Sequence, residues 1–206
     1  MIKAYGSSTS GNCWKVATVL TLTGTAFEWI EIDSNAGATR TPGYLALNPN
    51  GKVPIVQLDD GAVITESNAI LAHFGEGTRL LPAPGLARTR VMEWLFFEQY
   101  SHEPYVAVAR NWIAWKRIKE QRAAELAAIW ANGQKALSVM EQRLSSHAYL
   151  AGDSLSIADL ALYAYTHRAE EGEFDLAPYP GLRAWLARVA AEPGLTSLPA
   201  AKKAVP

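Results

Sequence analysis

Cysteine is nearly absent. Cys13 is the single one in 206 residues, so no internal disulfide can form, and a chain this long buries enough apolar surface to need none. That usage is the one expected of a reducing compartment. Any apolar run approaching the roughly 20 residues of a membrane helix is also missing, and the opening Met1-Ile2-Lys3-Ala4-Tyr5-Gly6-Ser7 lacks the basic and apolar regions of a secretory signal. The expectation is a cytoplasmic chain with no membrane association. Neither sign of charge is in excess: 19 Lys and Arg stand against 20 Asp and Glu, a net charge of -1. Nothing in that balance draws the chain to nucleic acid or to an anionic lipid surface. Aromatic residues are plentiful, with seven Trp and eight Tyr; they fill cores and also line apolar ligand pockets.

Two halves obey different patterns. Residues 1–78 alternate short strands and helices: a strand at 3–5, a helix at 13–23, a strand at 27–32, a short helix at 42–47, then strands at 54–58 and 62–64 joined across Asp59-Asp60-Gly61. Asp-Gly between apolar runs signals a hairpin. A helix from Ser67 completes the order β-α-β-α-β-β-α of a thioredoxin-like α/β domain. Residues 79–85, containing Leu81-Pro82-Ala83-Pro84-Gly85, read as a linker. Residues 86–206 read as an all-helical bundle, with Pro104 kinking the stretch 88–117 and a second long helix at 123–144. Leu155-Ser156-Ile157-Ala158-Asp159-Leu160 combines a Ser N-cap, an Asp three residues on and a flanking Leu pair, the signature of a capped helix start. A last helix at 181–191 stops at Pro193-Gly194, before a Lys- and Ala-containing tail expected to be loosely held.

Three segments can carry chemistry. In the first loop, Ser10 and Cys13 form an S-x-x-C arrangement at a helix N-terminus, where orphan N–H groups and the dipole favour an anion such as a thiolate. A hydroxyl at the attacking position excludes dithiol chemistry, and Cys13 reads as a packed small hydrophobe. Taken alone, Ser10 reads first as a plain helix cap, which is what a Ser before a helix usually is. In Asn48-Pro49-Asn50-Gly51-Lys52-Val53-Pro54, read alone, Val53-Pro54 is the commoner trans bond; if it is cis, the Val53 N–H and C=O are left for an extended peptide, as a strand would use them. In Thr65-Glu66-Ser67-Asn68, the helix start and the Ser67 hydroxyl suit a carboxylate and Glu66 suits an ammonium; plain capping is the alternative. One extended tripeptide could use all three in order, its zwitterionic end at Glu66-Ser67, its middle along Val53 and its thiol at Ser10.

Ser-Gly-Asn-Cys-Trp-Lys-Val, Asn-Pro-Asn-Gly-Lys-Val-Pro, Thr-Glu-Ser-Asn-Ala-Ile and the later Ser-Ile-Ala-Asp make the chain resemble a bacterial cytosolic glutathione S-transferase of the serine type, over nearly its whole length. The resemblance implies glutathione as co-substrate, no metal, a homodimer and a small-molecule electrophile as second substrate. By the same resemblance Ser10 stabilises the thiolate, as in theta, zeta and delta classes, while Asn12 matches an asparagine near the sulfur in nu-type relatives; the two assignments compete. Val53 would pair with the cysteinyl backbone, Pro54 would be cis, Glu66 and Ser67 would hold the γ-glutamyl end, and Lys52 would meet the glycyl carboxylate. Tyr105, Arg110 and Trp112 would line the electrophile site, with Arg110 favouring an acidic or carbonyl-bearing substrate. Tyr5 reads as strand core, His102 as a surface or core-edge histidine, and Asp159 as structure. Two further activities fit the same motifs: a glutathione-dependent disulfide reductase, and a non-catalytic glutathione-binding protein. A free thiol titrates near 8.5 and needs a fall of about two units, about 2.7 kcal/mol, to be mostly ionised at neutral pH. One hydroxyl bond to a charged group supplies about 1.5–3 kcal/mol.

Overall fold

The computed structural model describes residues 1–197; the rest of the tail, from 198 on, with the expectation made for it, lies outside the described residues. Four strands form one mixed sheet in the order β2-β1-β3-β4: β1 Ile2–Gly6, β2 Phe27–Glu31, β3 Ile55–Gln57 and β4 Val63–Thr65. β1 runs parallel to β2, with Ala4 opposite Trp29, and antiparallel to β3, with Ala4 opposite Val56. A parallel neighbour needs a crossover, and α1, Gly11–Leu22, provides it. β3 and β4 form the hairpin that the Asp-Gly turn foretold, closed by Leu58 N–H to Ala62 O at 2.8 Å. With α2, Pro42–Leu47, and α3, Ser67–Gly75, this is the thioredoxin-like order. Ala4 and Val56 of the sheet bury against Val16, Val19 and Leu20 of α1 and Ile70 and Leu71 of α3. Tyr5 departs from expectation: it is half-buried, because its hydroxyl reaches Gln57 Oε1 at 3.2 Å instead of entering the core.

The second half is helical: α4 Leu86–Phe97, α5 Glu103–Arg110, α6 Ala123–Leu144, α7 Ile157–Thr166 and α8 Pro180–Ala190. The kink expected around Pro104 is a π-type turn within a continuous helix. A π-type turn, Glu98–His102, separates α4 from α5, and a second, Asn111–Trp115, follows α5. Pro104 sits in the first turn of α5, where its missing N–H costs nothing. Helix α7 is buried along its entire length and packs against α1 and α3 of the first domain and α4 of the second. Apolar contacts therefore run unbroken from sheet to bundle.

The start of α7 is fixed by one carboxylate. Asp159 Oδ2 accepts from the Ser156 N–H (2.9 Å) and hydroxyl (2.8 Å), and Oδ1 accepts from Leu150 N–H and the Trp185 indole, both at 3.0 Å. An amide in its place turns an NH₂ toward donors that need an acceptor. Asp159→Asn is expected to lower unfolding free energy by about 2–3 kcal/mol, read as a fall in the urea midpoint. An unchanged midpoint would show that Asp159 is not the clasp of this helix.

Candidate active site

The loop 7–10 between β1 and α1 turns on a Ser10 N–H to Ser7 O bond of 3.0 Å. Ser10 caps α1 from an extended conformation, its Oγ accepting the Cys13 N–H at 3.4 Å, the long end of such bonds. The Ser10 hydroxyl also lies against the Cys13 sulfur, to which it can donate. Cys13 is buried behind it and its Sγ takes the Ser7 N–H at 3.2 Å. Burial pushes this thiol up to about 11. It stays protonated at neutral pH and does not serve as a nucleophile.

Asn12 is held on three sides. Its Nδ2 donates to Glu103 Oε1 at 2.8 Å, its Oδ1 accepts from the Ser67 hydroxyl at 3.2 Å, and its backbone N–H donates to the Tyr165 hydroxyl at 3.3 Å. Gly11 leaves room for that last contact, since a Cβ there would lie 2.6 Å from the Tyr165 ring. Val53-Pro54 is cis, with Pro54 and Ile55 buried at the start of β3. Lys52 O, just before, is fixed by the Tyr44 hydroxyl and Asn48 Nδ2, both at 2.8 Å. Glu66 precedes α3 at φ 66 and ψ 116, a conformation a non-glycine residue adopts at a cost of about 1–3 kcal/mol. It leaves the Glu66 carboxylate exposed above the buried Ser67.

These residues surround two adjoining hollows. The smaller, about 80 Å³, is bordered by Asn12, Lys52, Val53, Pro54, Glu66 and Ser67. The larger, about 700 Å³, lies between the first loop and α5, where Ser10, Lys52 and Val53 face Glu103, Val108 and Arg110. Ser10 and Asn12 thus open into different compartments. Of the three residues expected at the electrophile site, Arg110 borders the cleft; Tyr105 and Trp112 do not. Residues 104, 107, 108, 111 and 115 share the cleft face of α5 and the turn after it, whereas Tyr105 and Trp112, seven apart, share another face. Tyr105 packs on the helical core, and Trp112 lies 5.0 Å under the Arg122 guanidinium. Arg110 is buried, bonded to Glu171 Oε2 at 2.8 Å and to Thr9 O at 3.3 Å.

Behind the smaller hollow runs a buried charge network that sequence reasoning did not anticipate. Lys15 Nζ meets Glu98 Oε1 at 2.8 Å with both side chains at 0% exposure, and lies 3.7 Å from Glu103 Oε2. Asn68 and Gln99 complete it, each donating to Glu98 Oε2, at 3.0 and 2.9 Å. Burial raises the Glu103 carboxyl above its ordinary range, and Lys15 opposes the rise. His102 also departs from expectation. It is fully buried, Nε2 against the Thr166 hydroxyl at 2.9 Å, and burial drives it down to about 3, so it is neutral and structural.

The sequence matches the family models described as glutathione S-transferase N-terminal domain, over residues 9–76, and glutathione S-transferase C-terminal domain, over residues 95–193. The chain belongs to the glutathione S-transferase family. A crystal structure of a glutathione S-transferase from Xanthobacter autotrophicus Py2 is 57% identical, covering 97% of this chain and 98% of that one, with a TM-score of 0.94. "Glutathione S-transferase 3" of Zea mays is 33% identical, over 97% of this chain and 94% of its own length. Ure2p, solved in complex with glutathione, is 26% identical with a TM-score of 0.83 over 94% of this chain and 91% of that one. The family's two domains correspond to the sheet domain and the helical bundle, and both hollows lie where the two meet.

Proposed function

We propose that the chain binds glutathione across the two hollows, ionises its thiol and adds the sulfur to a small electrophile in the larger one. The γ-glutamyl end goes to Glu66 and Ser67, the cysteinyl backbone pairs with Val53, the glycyl carboxylate meets Lys52, and the sulfur lies at Ser10. One observation carries this reading: the Ser10 hydroxyl stands at the wall of the larger cleft with only the Cys13 N–H and its neutral thiol for partners, whereas the Asn12 side chain is already bonded to Glu103 and Ser67 in the smaller one. That difference favours Ser10 as thiolate donor and makes Asn12 the brace that holds the peptide pocket in shape. The complex of Ure2p with glutathione supports the choice of peptide.

The chemistry needs little else. Ser10 and the positive end of the α1 dipole stabilise the thiolate, the freed proton passes to solvent, and the sulfur attacks without a protein nucleophile. A homodimer belongs to the same proposal. Titration of the protein with reduced glutathione in a calorimeter is expected to give one site per chain with a Kd of about 1 mM or tighter, in the usual range for such substrates. Absence of binding heat at several temperatures would remove the peptide from the site.

A further inference from the structure

The larger cleft presents two kinds of surface. One wall is apolar: Pro104, Ala107, Val108 and Trp115 lie along one side of α5 and the π-type turn that follows it. The charged residues bordering the cleft are Lys52, Arg110, Lys116 and Glu103. The single carboxylate is engaged by Asn12 and Gln99 and lies beside Lys15. Arg110 is bonded to Glu171 and the Thr9 carbonyl. Lys116 is placed differently, exposed at the end of the turn next to Asn111 and Trp115, and among the described residues its ammonium has neither an ion-pair partner nor a hydrogen bond. The Trp115 indole N–H, in the same wall, is buried with no acceptor among the described residues. A buried donor in that state favours a ligand that can accept from it. Cations concentrated in a cleft with apolar walls raise the local concentration of anions.

We propose that this cleft selects anionic electrophiles, molecules with a flat apolar body and a carboxylate, and that Lys116 is the specificity-determining residue. The body lies along Pro104, Ala107, Val108 and the Trp115 ring, the carboxylate meets the Lys116 ammonium, and the Asn111 amide donates beside it. The inference rests on glutathione as the sulfur donor and adds the class of its acceptor.

A matched pair of activated aryl chlorides tests it: 4-chloro-3,5-dinitrobenzoate and its methyl ester. In both, the glutathione sulfur forms a bond to the ring carbon that bears chlorine, the C–Cl bond breaks with its electron pair to release chloride, and the thiol proton passes to solvent. With each kcat/KM divided by the uncatalysed rate constant, the protein is expected to prefer the carboxylate. Lys116→Ala should lower that preference about fivefold, the effect of roughly 1 kcal/mol for an exposed ion pair, through KM of the carboxylate more than kcat. Lys116→Arg should restore it, and raising ionic strength from about 20 mM to about 500 mM should erode it in the wild type. A preference that is the same in wild type and Lys116→Ala, with both electrophiles turned over, overturns the proposal and leaves glutathione conjugation standing. If neither electrophile is turned over and calorimetry shows no glutathione binding, the donor itself is wrong and this inference falls with it.

Discussion

Ser10→Ala is expected to lower kcat/KM for glutathione conjugation at pH 7 by about 10- to 100-fold, with the loss shrinking as pH rises. A hydroxyl bonded to a thiolate contributes about 1.5–3 kcal/mol, and each 1.36 kcal/mol is tenfold in rate or one unit of pKa. Without it the bound thiol titrates one to two units higher, nearer the 8.5 of a free thiol, so the ionisation limb of the pH–rate profile moves to higher pH. Above that limb the variant approaches wild type, because the thiolate then forms without help. Ser10→Thr keeps the hydroxyl and should keep the profile. Asn12→Ala acts otherwise: it strips a partner from both Glu103 and Ser67, and should weaken glutathione binding while leaving the limb in place. If instead Asn12→Ala moves the limb and Ser10→Ala does not, the thiolate donor has been misassigned.

The second large effect is on stability. Lys15→Met is expected to cost about 3–5 kcal/mol, the usual result of removing one partner from a buried ion pair. It leaves Glu98 without its counter-charge in a site closed to solvent, with Glu103 close by. For a chain of this length that corresponds to a fall in melting temperature of roughly 6–20 °C. The double variant Lys15→Met with Glu98→Leu should recover much of the loss, since two apolar side chains can replace a buried pair at little net cost. Recovery in the double variant separates unpaired charge from simple loss of packing. A single variant that melts with wild type would show the pair to be incidental.

The network around Lys15 also marks the limit of what the sequence disclosed. Local signals were legible where neighbours in sequence are neighbours in space. Asp59-Asp60-Gly61 gave its hairpin, Ser156 and Asp159 gave the start of α7, and Pro104 gave the irregular turn between α4 and α5. The three segments proposed to hold the peptide could be singled out because each motif is contiguous. Lys15, by contrast, meets Glu98 across 83 positions, and Asn12 meets Tyr165 across 153. No periodicity announces such pairs. A lysine set among Trp14 and Val16 on a buried helix face was the one available hint, because a lysine seldom enters a core without a partner. Tyr105 and Trp112 were misjudged for a different reason. Aromatic character suggested a pocket lining, but the helical period puts both on a face other than the one carrying Pro104, Ala107, Val108 and Asn111, and that period was the better guide.

Glu103 borders both compartments at once. On the proposed reading, the peptide's ammonium arrives near this carboxylate on one side, and an anionic acceptor has to approach it from the other. The ammonium is one positive charge against two carboxylates and a thiolate in the ionised peptide, so the donor as a whole adds to the repulsion felt by the acceptor, and each guest loosens the other's hold by the same factor. Such coupling is symmetric and dictates no order of filling; with an acidic side chain on the wall between two chambers, Lys52, Arg110 and Lys116 on the border of the larger one are the counterweight an anionic acceptor needs.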